Sequence, residues 1–175
     1  MIKDILLTMV IREDGIKKIY PIKTGFYVIF IIITNILFPL IFNLCASFFN
    51  SKFSELDSFY ITLYELRNSF LVNFMLFIFL VTSFLIQSHG KKYFELVFKT
   101  LVAMSFINPL FIIISYWLNN LLVNFAIIIY DFVFIKAFVN TNINDEDLPK
   151  PKQAGCIVTA FLITYFLFLF WYIKI

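Results

Sequence analysis

One carboxylate, Asp131, lies inside a long apolar stretch, Leu121–Val139. A carboxylate at mid-bilayer costs about 2.5–3.5 kcal/mol on insertion scales, so such residues face a bundle interior and often mark ion or proton paths. A second placement ends the stretch at Asp131 and puts Phe132–Phe138 in the interface with Lys136. Lys136 is five residues on and points elsewhere on a helix, free to snorkel to the surface. Asn35, Asn43, Asn73 and Asn108 sit in other apolar stretches. Amides in lipid bond across helices, for about 0.6–2 kcal/mol each. Asn35 stands four residues before Pro39, and Asn108 directly precedes Pro109. Each proline removes a donor and kinks a helix. Asp131, Asn108, Asn35 and Asn73 thus form a candidate intramembrane polar cluster, framed by kinks at Pro39 and Pro109. The same amides serve equally well as packing devices.

Little else in the chain has the form of chemistry. The single histidine, His89, stands beside Lys91 and Lys92 in a polar turn. No serine or cysteine has a second histidine to pair with, and four glycines leave no room for a phosphate-cradling loop. Cys45 and Cys156 both fall in apolar runs and read as buried thiols. Asp145-Glu146-Asp147 lacks the glycine turn and further ligands of a calcium loop. The expectation is a non-enzymatic protein with no metal and no cofactor.

The elements that must position these residues follow from composition. Of 175 residues, 62% are hydrophobic and 14% charged, against about 45–50% and 25% in soluble domains. A bilayer is the solvent that accommodates such a chain. A span needs about 20 apolar residues. The expected fold is all-α, a polytopic membrane helical bundle with five spans near 25–49, 69–87, 100–118, 121–139 and 154–173. Only Asn119-Asn120 separates the third and fourth, and a forty-residue span is too long for ordinary tilt, so a tight turn is placed there. The first long apolar run follows Lys17, Lys18 and Lys23 and reads as a retained span.

Charge placement supports the count. With the N-terminus in the cytoplasm, eleven Lys and Arg residues fall inside (Lys3, Arg12, Lys17, Lys18, Lys23, Lys91, Lys92, Lys99, Lys136, Lys150 and Lys152) and three outside (Lys52, Arg67 and Lys174). Tyr116-Trp117 and Trp171-Tyr172 would then lie at the outer interface. The expected location is a bacterial inner membrane, with the C-terminus outside. The net charge of +3 is too small to suggest nucleic acid.

Two further pieces are amphipathic. Ile2, Ile5, Leu6 and Met9 share a helical face, and Gly15 is placed to end that helix. Residues 1–24 then form a surface helix and a basic segment, in which Lys17 and Lys18, with Lys91 and Lys92, make a lipid-facing basic patch worth about 1 kcal/mol per lysine. Ser54–Leu66 repeats apolar residues at helical spacing, is weakly capped by Ser54-x-x-Asp57, and can run straight into the second span. Asn140–Gln153, acidic and then proline-rich, reads as a mobile cytoplasmic loop.

The stretch His89-Gly90-Lys91-Lys92-Tyr93-Phe94-Glu95-Leu96-Val97-Phe98-Lys99, running on to Phe106-Ile107-Asn108-Pro109-Leu110, resembles small bacterial relatives of the Yip family (Ypt/Rab-interacting membrane proteins). The shared features are a Gly-containing basic loop, an amphipathic entry and a proline within the third span. The five-span layout over about residues 20–175 is similar too. The Asp-Leu-Tyr-Gly-Pro-type motif of eukaryotic members is absent. The resemblance implies a non-enzymatic membrane-organising adaptor or accessory subunit, with a membrane-protein partner or a second copy of itself. Two other classes fit the same sequence: an immunity-type protein against a pore-forming toxin, and a small transporter or channel subunit using Asp131.

Overall fold

A computed structural model describes residues 2–49, 55–88, 93–117 and 120–173. The described residues are helical throughout, joined by short turns. A hairpin of α1 (Ile2–Met9) and α2 (Glu13–Ile19) precedes the bundle. The first bundle helix is α3 (Thr24–Ile32), continued through a π-turn (Ile33–Leu37) into α4 (Phe38–Phe49). The second is α5 (Glu55–Gln87), a single helix of 33 residues. The third is α6 (Phe94–Met104), a 3-10 turn (Ser105–Ile107) and α7 (Asn108–Trp117). α8 (Asn120–Asn142) and α9 (Lys150–Ile173) complete it.

Four of these helices, at Thr24–Ala46, Phe94–Ile114, Leu122–Asn142 and Lys150–Phe170, are long and apolar enough to cross a membrane. Leu71–Gln87 is a shorter apolar helix at the end of α5. The expected surface helix at Ser54–Leu66 does run directly into it, from Glu55 onward. Ser54, the expected turn residue Asn119, the histidine His89 and the basic-patch residues Lys91 and Lys92 lie outside the described residues.

Side-chain pairs give the packing. Thr24 meets Glu95, Thr34 meets Ser105 and Asn35 meets Asn108, at separations of 71, 71 and 73 residues. A near-constant offset means that the first and third helices run parallel. Phe111–Tyr130 and Phe132–Phe161 are ring contacts between successive, antiparallel helices. The tightest packing gathers toward the end of the bundle that carries α1 and α2. There Ile16, Ile19, Phe84, Leu96, Phe138, Leu148 and Ile157 are all buried. Toward the other end Leu122, Phe125, Phe166 and Phe170 are exposed, as lipid-facing side chains are.

The N-terminal segment departs from the expected surface helix. Gly15 does not end it. α1 stops at Met9, and the Arg12 and Ile11 amides bond back to the Leu7 and Thr8 carbonyls, each at 2.9 Å. This is a Schellman closure, which puts its C′ residue in the left-handed region. That residue is Ile11, at φ 59°. A β-branched residue there costs about 1–2 kcal/mol, offset because its side chain packs against the core. Gly15 lies within α2, where its missing side chain lets α2 approach α1. A Cβ there would fall 2.6 Å from the Thr8 nitrogen and 2.8 Å from the Leu7 carbonyl carbon.

The Asn140–Gln153 segment is not a loose loop either. α8 continues to Asn142 and α9 begins at Lys150. The Asp147 and Leu148 amides bond the Asn144 carbonyl. Leu148 is buried, and the buried Gln153 amide donates to its carbonyl at 2.6 Å. One leucine among the charges supplies the anchor that the composition of the segment obscures. Pro151 is tolerated because it falls in the first turn of α9, where amides lack intrahelical partners anyway.

Backbone atoms of α1 block any side chain at position 15. Gly15→Val is therefore expected to destabilise the docked hairpin by about 1–3 kcal/mol, while leaving the protein in the membrane fraction. Limited trypsin digestion in mild detergent should show faster cleavage after Arg12 or Lys17. Wild-type resistance in the variant would contradict the packing described.

Candidate functional site

Among the described residues, three groups of polar side chains inside the bundle stand out, each made by a local feature of the sequence.

The first group is a crossing of two interrupted helices. Pro39 offers no N–H, and its ring would strike the Asn35 carbonyl one turn back. The chain answers by widening into the π-turn, where the Phe38 amide reaches the Ile33 carbonyl. Pro109 makes the same demand on Ser105. There the chain tightens instead, and the Asn108 amide bonds the Ser105 carbonyl across the 3-10 turn. The two irregularities face each other. Asn108 Nδ2 donates to Asn35 Oδ1 at 2.7 Å, and the Thr34 and Ser105 hydroxyls are 3.4 Å apart. Asn35 Nδ2 also donates to Thr34 Oγ1 at 3.1 Å and to the Ile31 carbonyl at 3.3 Å. Thr34 and Ser105 are buried. The helix type thus changes beside both prolines, and two of the expected amides form one bridge.

The second group is Asp131. α8 runs on eleven residues beyond it to Asn142, with Phe134, Ile135 and Phe138 buried, so the helix does not end early. Asp131 is 8% exposed and hydrogen-bonded to Tyr165 on α9. It therefore does not join Asn35 and Asn108. Asn73 is half-buried on α5 with interactions of its own. Of the four residues expected as one cluster, Asn35 and Asn108 meet each other and Asp131 meets Tyr165.

The third group was not foreseen. Lys99, expected on the cytoplasmic side just before the third span, lies within α6 and is 4% exposed. Its Nζ is 2.8 Å from a Glu95 carboxylate oxygen and donates to the Tyr20 carbonyl at 2.9 Å. It also sits 5.1 Å from the Tyr20 ring centroid and 5.6 Å from that of Tyr27. Tyr27 donates its hydroxyl to the Ile19 carbonyl at 2.9 Å. The last carbonyls of α2 are therefore capped by a cation and a phenol, which also suits the negative end of the helix dipole. Tyr130 does the same for α1, donating to the Met9 carbonyl at 2.9 Å. Burial, with the Glu95 charge behind it, pushes the Tyr20 phenol above its ordinary value, so the ring under Lys99 stays neutral. The signal in the sequence is the i,i+4 pair Glu95 and Lys99, which marks helix one turn before the apolar run begins.

Lys17 and Lys18 are exposed, near Glu13 at 3.8 Å and Asp4 at 3.7 Å respectively. Between α8 and α9 an open groove of about 770 Å³ is lined by apolar atoms of Ile128, Phe132, Phe161, Leu162, Tyr165 and Phe166, with other residues of α9. No protein-family model, curated protein or solved structure matches the chain. Its chemistry is therefore read from its own geometry. Asn35 with Asn108, Asp131 with Tyr165, Lys99, Tyr27 and Tyr130 each hold one helix to another.

Two outcomes follow. In a double-mutant cycle, Asn35→Ala and Asn108→Ala should show a coupling energy of about 0.6–2 kcal/mol in detergent unfolding. Additive losses would mean the bridge does not form. Lys99→Met keeps the length of the side chain but removes the cap on α2. It should cost about 2 kcal/mol, read as a lowered Tm, with no such loss for the exposed Lys17→Met.

Proposed function

We propose that this chain is a non-enzymatic membrane protein that works through lateral contacts, as a membrane-organising adaptor or as an accessory subunit of a larger membrane complex. The reading has five spans, Leu71–Gln87 being the second, with the N-terminus in the cytoplasm of a bacterial inner membrane and the C-terminus outside. It is the function implied by the Yip-like layout of the basic turn and third span. One observation carries it. Asn35 and Asn108 engage one another, Asp131 engages Tyr165 and Lys99 caps a helix end, whereas large apolar side chains, among them Ile29, Ile41, Ile129, Leu162 and Phe166, are exposed. What the molecule offers to a partner is thus an apolar exterior, with an open groove between α8 and α9.

In the five-span reading the α1–α2 end, Tyr93 and the Ile143–Pro149 turn share one side, and most of the lysines belong to it in sequence. The positive-inside tendency makes that side cytoplasmic.

Two measurements address this. An alkaline phosphatase fusion after Ile175 should be active and one after Gly90 inactive; the reverse pattern would overturn the orientation. Purification in mild detergent followed by mass spectrometry should recover a membrane-protein partner or a second copy. Leu162→Trp, which fills the groove, should reduce that recovery several-fold. Recovery of neither species from the wild type would sink the adaptor reading.

A further inference from the structure

We infer that the α1–α2 hairpin is a wedge seated in one leaflet of an anionic bilayer, its α1 face against acyl chains, and that it makes the protein sensitive to membrane curvature. The inference rests on the membrane-embedded reading above and adds a depth, a lipid-contacting face and a consequence.

Depth follows from what the hairpin touches. Tyr20, at the end of α2, contacts both Lys99 on α6 and Phe138 on α8, so these two positions lie at one level. On the outer face of α8 the exposed residues run Leu122, Phe125, Ile129 and Val133, and then Lys136. The apolar-to-charged boundary on that face therefore falls near the same level. The other end of the hairpin lies deeper. Tyr130 bonds the Met9 carbonyl, and α1 packs against the 3-10 turn that starts at Ser105. Tyr130 is six residues before Lys136, and Ser105 six after Lys99. At 1.5 Å per residue, both positions are about 9 Å below the boundary. Interfacial helices bury their apolar faces about 5–10 Å into the headgroup and acyl boundary.

On α1 the exposed apolar side chains match that position. Ile2, Leu6 and Val10 form an i, i+4, i+8 stripe that faces away from the bundle, 74%, 56% and 67% exposed. Ile5 and Met9 use the opposite side of α1 to pack on the core. Lys3, Lys17, Lys18 and Lys23 are exposed on or beside the hairpin and complement anionic headgroups. Arg12, Glu13 and Asp14 at the turn are also exposed, and Glu13 pairs with Lys17. Arg12 can snorkel upward.

The consequence is geometric. In the leaflet holding the hairpin the protein has seven helical cross-sections, α1, α2, α3, α5, α6, α8 and α9. In the other it has five, α4, α5, α7, α8 and α9. An inclusion broader in one leaflet favours a membrane convex on that side.

The test uses single cysteines in a Cys45→Ser, Cys156→Ser background, reconstituted in phosphatidylcholine–phosphatidylglycerol vesicles. An environment-sensitive fluorophore at Leu6→Cys should lose intensity when the lipids carry bromine on their acyl chains. It should do so less strongly than a fluorophore at Ile129→Cys, which lies deeper, and more strongly than one at Lys17→Cys. Quenching at Ile129 without quenching at Leu6 overturns the wedge and leaves the membrane reading standing. Absence of quenching at both overturns the two together. Molecules labelled at Lys17→Cys by an impermeant dye from outside should then concentrate in tethers pulled from giant vesicles, relative to a lipid dye. Even partition between tether and vesicle would overturn the curvature claim, as would equal enrichment with Gly15→Val added.

Discussion

The structure depends on two missing amide hydrogens. Pro39 and Pro109 each interrupt an apolar helix where no water is at hand to bond the released carbonyl. One helix widens and the other tightens, and both changes fall on the same crossing. The Asn35–Asn108 amide pair, with Thr34 and Ser105 beside it, turns two weak points into one joint. Phe30 packs on Phe106 and Tyr27 stacks on the same ring, so the joint is sealed by aromatic carbon on one side. It fixes the first helix parallel to the third at a register of 71–73 residues.

That register creates the docking surface for the N-terminal hairpin. Tyr27 from the first helix and Lys99 from the third arrive together where α2 ends, and Tyr130 on α8 waits where α1 ends. Helix ends carry unpaired carbonyls and a partial negative charge, so one cation and two phenols suit them. A buried lysine is ordinarily a liability. Here its charge is met by Glu95, a carbonyl and two ring faces, which is why it can stand inside the helix.

The polar groups and the apolar surface divide the work of the molecule. Asp131 and Tyr165 join α8 to α9 from within, while the outer faces of the same two helices leave a groove with almost no polar lining. Such a surface has little use in water and a clear one in lipid, where neighbouring helices and acyl chains are the available partners. This division is the physical basis of the lateral, non-catalytic role proposed here.

Much of this was legible in the sequence. The apolar runs gave the all-helical class. Pro39, Pro109 and their neighbouring asparagines announced kinks with amides nearby. These are local properties, set by covalent chemistry within one or two turns. Partner choice is not local. Nothing along the chain says that Asn35 meets Asn108 while Asp131 meets Tyr165, because that depends on helices packing in parallel or in opposition. Nor does composition reveal that Lys99 is buried, that Gly15 serves close approach rather than termination, or that Leu148 anchors a charged segment. The sequence by itself determined the helices and where they break. Tertiary structure alone decided which polar groups meet, because an unpaired group inside an apolar bundle is satisfied only by what packing brings within hydrogen-bond reach.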